Sequence, residues 1–274
     1  MRLETQERKH QPVWLFFALT FLLSWVCWIA LAISGRDPMR SAWIIAYLLG
    51  GLGPSIVGVG MMIHTTPKRD DRRDFWKRLV NFRAISAGWY LVIVLIFPLV
   101  FAVTYLVDGW LGGADATFPT LEMIAANPLL LVGLLFSSFI VGAISEELGW
   151  RGFALDKLQA RWNPSVSSLI LSFFWWAWHL PLFFVKGTTQ HAIGIGTTGF
   201  LVFTLCIIPL TFIMTWAYNH NQRSILSAVL LHMAYTFFLS LFFPLPHTQV
   251  IFLFLAAALV VLVTEFRGTK SVEV

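Results

Sequence analysis

Apolar residues in this chain gather into long runs separated by short polar joints. Eight runs stand out, at 13–33, 43–63, 89–106, 129–144, 166–185, 193–217, 225–243 and 250–263. A run of about 18 or more apolar residues with few charges is long enough to cross a bilayer as a helix, and only the fourth and eighth runs fall clearly short. Helices are expected throughout, because a helix satisfies its own backbone hydrogen bonds where no water can. Barrel strands would alternate apolar and polar residues, and these runs do not. The predicted fold class is all-α: a polytopic membrane bundle of about eight transmembrane helices, in a single integral membrane domain over residues 1–274. Pro98 and Pro181 fall inside runs and are expected to kink them, since each removes a backbone donor. Glycines at positions 50, 51, 53, 58 and 60 thin the second run and suit close helix contact.

Composition agrees with the pattern. The chain is 58% hydrophobic and 12% charged, whereas a soluble domain is about half apolar and about a quarter charged. The first run exceeds the ~7–15 residues of a signal-peptide core. Ser34-Gly35-Arg36-Asp37-Pro38 after it offers no cleavage site, so a retained span is expected. Cys27 and Cys206 lie within runs and read as reduced packing residues.

The net charge of +5 reports orientation and not nucleic-acid binding. If the N-terminus is cytoplasmic, sixteen of the nineteen Lys and Arg residues fall on inside joints, leaving Arg36, Arg40 and Lys186 outside. That bias places both termini in the cytoplasm. The joint from His64 to Ser86, with its cluster from Lys68 to Arg78, reads either as an amphipathic helix drawn to anionic lipid or as a solvated topology determinant. The second reading is preferred.

Ionisable groups at membrane depth are costly and mark function. Here they are few: Glu146 and Glu147 end the fourth run, followed by Arg151, with His179 in the fifth run and His232 in the seventh. If the fourth helix continues, Glu147 and Arg151 share a face at i,i+4 spacing, which suits a salt bridge. Glu146 points about 100° away, leaving it free for a different role. A carboxylate and two imidazoles can orient a water, take its proton and stabilise an oxyanion. The same three side chains, Glu146, His179 and His232, also suit a divalent metal such as zinc. The plain alternative is a polar helix end with two packed histidines. His10, His64, His191, His220 and His247 lie outside the runs or at joints and receive no role, and Asn163, Asn219 and Asn221 read as loop or cap residues. No His-Glu-x-x-His, Gly-x-Ser-x-Gly or phosphate-binding glycine loop is present, and no run contains an Asp.

The segment from Glu146 to Phe153, followed by Trp178-His179-Leu180-Pro181, resembles the CPBP family of intramembrane peptidases, also called Abi, which includes the type II CAAX prenyl endopeptidases. Its Glu-Glu-x-x-x-Arg motif is matched by Glu146, Glu147 and Arg151. Its aromatic residue four before a His is matched by Trp175 and His179, with Trp where Phe is usual. Its third motif, a His followed four residues later by Asn or Asp, is half met, by His232 with Thr236 in the second place. The resemblance covers residues 129–243.

It implies a helical bundle with a cavity reached from the cytosol and lipid. In that bundle Glu146 and His179 activate water, His232 contacts the oxyanion, and Glu147, Arg151, Trp175 and Thr236 support them. Members are described both as metallopeptidases and as glutamate peptidases that need no metal. The implied substrate is a membrane-associated or prenylated CAAX-type protein or peptide. Short loops and compact size suggest a bacterial plasma membrane. A non-catalytic scaffold or bacteriocin-immunity protein of the same fold is the alternative, favoured by Thr236. A proton-relay transporter is disfavoured, because the ionisable residues cluster on one side and no paired broken helices stand in matching halves.

Overall fold

The computed structural model describes the backbone of residues 2–65 and 69–268, and the side chains of residues 13–65, 69–259 and 261. Its elements are all helical, with no strand among the described residues. The main helices, in order and leaving aside 3-10 turns and the short helix Thr189–Ile193, are α1 (Arg2–Ser34), α2 (Ile44–Gly51), α3 (Gly53–Thr65), α4 (Arg69–Val80), α5 (Ala87–Trp110) and α6 (Pro119–Ala126). A long helix α7 (Leu129–Gln159) follows, then α8 (Pro164–Trp178), α9 (Thr198–His220), α10 (Ile225–Phe242) and α11 (Gln249–Gly268).

Six of the described helical segments are long and apolar enough to cross a membrane, and α2 with α3 makes a seventh if the bent pair is one span. The eighth predicted run falls on α11, whose described apolar part, Gln249–Leu259, is shorter than a span; the rest of that run, apart from Val261, lies outside the described side chains. Large apolar side chains on the long helices point outward, as lipid-facing positions should: Leu22, Leu106 and Leu129 are more than half exposed.

Three local features differ from the sequence expectation. The second run is not one helix but two, bent by 47° at Leu52. Pro54, two residues on, has no N–H for the Gly50 carbonyl, which accepts from Ser24 Oγ at 2.7 Å instead. Pro181 does not kink a continuous helix: α8 ends at Trp178, His179 caps it, and a tight 3-10 turn runs from Leu180 to Phe184. The 64–86 joint is not simply solvated, since α4 docks onto the bundle: Phe75 is buried and Arg78 pairs with Asp156 at 3.0 Å. Residues 66–68 of that joint, including Lys68, lie outside the described residues.

Caps follow from local chemistry. Asn163 accepts from Val166 N at 2.8 Å, with Pro164 at the first helical position of α8. Ser224 caps α10 by accepting from Ser227 N. Among the packing contacts, α3 meets α7 most intimately. A Cβ added at Gly58 would lie 2.6 Å from the Gly149 Cα, so the two backbones touch only because neither residue has a side chain. Cys27 and Cys206 are both free thiols.

Candidate active site

The fourth run proves to be the near half of a 31-residue helix. Glu146 therefore lies not at a helix end but about 26 Å into α7, counting from Leu129. Every residue from Ser145 to Leu155 is buried. Two π-helical stretches, Ser138–Ile144 and Trp150–Ala154, bracket the glutamates. Such insertions widen a helix turn and concentrate at functional sites. Because the carboxylates sit mid-bundle, they share a depth with His179 at the end of α8 and His232 within α10.

The two glutamates are held differently. Glu147 Oε1 accepts from Arg151 Nη1 at 2.8 Å, on the shared face set by their i,i+4 spacing, and also from His232 Nδ1 at 2.8 Å. Glu147 and Arg151 are both 0% exposed, so neither charge has water to turn to. Glu146 instead accepts two indole hydrogen bonds on one oxygen, Oε2: from Trp150 Nε1 at 3.1 Å and from Trp175 Nε1 at 2.6 Å. Its other oxygen, Oε1, has no hydrogen bond among the described residues.

Hydrogen-bond partners also settle the imidazole tautomers. His179 Nδ1 lies 2.8 Å from the Trp175 carbonyl oxygen, which can only accept, so Nδ1 carries the proton and Nε2 keeps its lone pair. His232 Nδ1 likewise donates to the Glu147 carboxylate. The His179 ring stands edge-on to Trp178, with centroids 4.8 Å apart, and to Phe203 at 5.5 Å.

Trp175 joins these parts. Its indole donates to Glu146, its face takes the Arg151 guanidinium 4.8 Å from the ring centroid, and the His232 ring packs edge-on at 5.3 Å. Its carbonyl orients His179. Glu146, Glu147, Arg151, Trp175, His179 and His232, drawn from α7, α8 and α10, thus form one cluster. Trp150 belongs to it as well and was not among the sequence candidates. Its signal was present: Glu146 and Trp150 have the same i,i+4 spacing as Glu147 and Arg151, but an indole in an apolar run reads as packing.

Thr236 stands apart chemically. Its hydroxyl donates back into its own helix, with the His232 and Met233 carbonyls both at 3.1 Å. A hydroxyl has one proton to give, so in this geometry it is not offered to the site. His191 and His220 each bond a nearby carbonyl, consistent with structural roles. The metal alternative does not fit the donor set. Among the described residues no three His, Cys, Asp or Glu side chains converge so as to hold an ion.

Comparison with known proteins follows the same residues. The sequence profile described as type II CAAX prenyl endopeptidase Rce1-like matches residues 128–238, which contain every member of the cluster. The chain is 30% identical over 263 residues to CAAX prenyl protease 2 of Methanococcus maripaludis, covering 93% of this chain and 94% of that protein. Likeness over nearly the whole length, in a membrane helical bundle whose buried Glu, Arg and His side chains among the described residues all fall within the matched segment, places this chain in the Rce1-like type II CAAX prenyl endopeptidase family of membrane proteases.

Proposed function

We propose that the protein is an intramembrane endopeptidase that hydrolyses a peptide bond of a membrane-associated, CAAX-type prenylated substrate, with Glu146 and His179 activating the attacking water. The observation that carries this reading is the convergence on Trp175. One residue binds the Glu146 carboxylate by its indole and the His179 ring by its carbonyl, so a base and an oriented imidazole are held by one rigid element.

In this reading Glu146 Oε1 takes a proton from water while His179 Nε2 accepts the hydrogen bond that orients it. The water oxygen adds to the substrate carbonyl carbon, and the resulting oxyanion is met by His232. With Nδ1–H committed to Glu147, His232 offers an Nε2–H only as the imidazolium, for which the Glu147 carboxylate is the adjacent counter-charge. Collapse then breaks the C–N bond, and the proton held by Glu146 passes to the leaving amine. No step is routed through a metal. The distribution of Lys and Arg supports cytoplasmic termini and a site that opens toward the cytoplasm; the short loops and compact size are what support a bacterial plasma membrane.

The test is cleavage of a fluorogenic farnesylated peptide, alongside unprenylated membrane peptides, by protein purified in detergent. Wild type is expected to cleave the farnesylated peptide. Glu146→Gln and His179→Ala are each expected to lose on the order of 10²–10⁴-fold in turnover. Full activity in Glu146→Gln would overturn the mechanism. A folded wild type that cleaves none of the peptides would favour the second reading, a non-catalytic scaffold of the same fold. The back-bonded Thr236 hydroxyl is the observation on that side.

A further inference from the structure

We infer that Trp175 is a positioning residue for Glu146: with Trp150 it forms a two-indole clamp that decides which carboxylate oxygen is left to work. The inference rests on Glu146 being the water-activating base. Both indoles donate to the same atom, Oε2, at 2.6 and 3.1 Å. A carboxylate oxygen has about two lone-pair directions, so two donors fill Oε2 and leave Oε1 as the available base. The rings themselves are immobilised. Trp150 is 0% exposed and stands edge-on to Phe16 at 5.5 Å and to Trp178 at 5.9 Å. Trp175 is 3% exposed, held between the Arg151 guanidinium and the His232 ring.

The two donors do different work. Trp150 lies on Glu146's own helix, one turn along, and fixes the carboxylate rotamer. Trp175 comes from α8, so its hydrogen bond ties Glu146 to the helix that ends in His179. Since the Trp175 carbonyl also accepts from His179 Nδ1, this one residue sets the placement of both groups that face the water. A phenylalanine at 175 would keep that carbonyl and a ring over Arg151 but would have no N–H to give. The Trp175→Phe variant therefore isolates the Glu146 contact.

The experiment has two arms. In the first, Trp175→Phe and Trp150→Phe are assayed on the farnesylated peptide. The clamp predicts a fall in kcat of about tenfold to a hundredfold for Trp175→Phe, with KM within about twofold and an unchanged unfolding midpoint. Unchanged kcat in a folded Trp175→Phe protein overturns the inference. In the second arm, protein with ¹⁵N-labelled tryptophan gives indole N–H resonances for its 13 Trp residues, and the two single variants identify those of Trp150 and Trp175. Glu146→Gln is expected to move both while leaving the distant ones in place; if neither moves, there is no clamp. The spectrum needs no substrate. A wild type that cleaves no peptide while both resonances respond therefore counts against the peptidase reading and not against the clamp geometry. Should Trp175→Phe fail to fold, the Glu146→Gln spectrum still decides the matter through the Trp150 resonance that Trp150→Phe identifies: if that resonance stays in place, there is no clamp.

Discussion

His232 Nδ1 and Glu147 Oε1 lie 2.8 Å apart, joining α10 to α7 through a carboxylate that also holds Arg151. One buried anion thus serves two partners from two helices. Its removal would leave the Arg151 guanidinium charged, unexposed and unpaired, the situation in which breaking a buried pair costs about 3–5 kcal/mol.

Glu147→Gln is accordingly expected to lower the unfolding midpoint in detergent and to abolish cleavage, because His232 loses its counter-charge and Arg151 loses its partner. Combining it with Arg151→Met should recover much of the stability, since no stranded charge remains, but none of the activity. If the double variant is less stable than Glu147→Gln alone, the stranded-charge account fails.

The Thr236 hydroxyl is spent on its own helix, so the site has one donor fewer than the family's Asn would supply. Gly142 faces it closely: a Cβ added there would lie 3.4 Å from Thr236 Oγ1, so glycine spares the width of one carbon beside Thr236. An Asn side chain directed there gains an amide donor, and an oxyanion donor is commonly worth about 10²–10³ in turnover. Thr236→Asn is expected to raise kcat toward that range, measured on the farnesylated peptide. A drop in kcat with intact folding would argue that position 236 does not face the reacting carbonyl.

Much of this was legible in the sequence for physical reasons. Hydrocarbon forces helices on any long apolar run, so six of the eight expected spans could be read from the pattern, while the second run breaks and the eighth falls short; the fixed periodicity of a helix brought Glu147 and Arg151 together. What could not be read depends on tertiary contact or on dual-natured side chains. The end of α8 at Trp178 follows from Pro181, but a proline inside an apolar run signals a kink and a stop equally. The docking of α4 rests on Phe75 filling the space that Gly152 leaves empty, with a Cβ there only 2.8 Å from the ring; no local pattern announces that. The indole donors of Trp150 and Trp175 were hidden because tryptophan counts as apolar until its N–H finds a carboxylate.

Donor geometry bears on chelation. No three His, Cys, Asp or Glu side chains converge among the described residues. Cleavage of the farnesylated peptide is therefore expected to withstand a strong divalent-cation chelator. Loss of activity on chelation, restored by added zinc, would mean that the Glu146, His179 and His232 side chains rearrange into a ligand set.

The contact between α3 and α7 is made by backbone, and backbone cannot yield. A Cβ at Gly149 would lie 2.2 Å from the Pro54 carbonyl oxygen, closer than any real contact. Gly149→Ala must therefore push α3 away from the turn carrying Glu146 and Glu147. Overpacking of this kind costs about 1–3 kcal/mol, and a shift of about 1 Å at the carboxylates is enough to cut turnover on the order of a hundredfold. Gly60, also on α3, provides the control: nothing lies within 4 Å of its added Cβ, so Gly60→Ala should be neutral or slightly stabilising, as Ala favours helix over Gly by about 1 kcal/mol. Thermal unfolding and peptide cleavage measured on both variants separate the two effects. Equal behaviour of Gly149→Ala and Gly60→Ala would show that the α3–α7 contact does not position the glutamates.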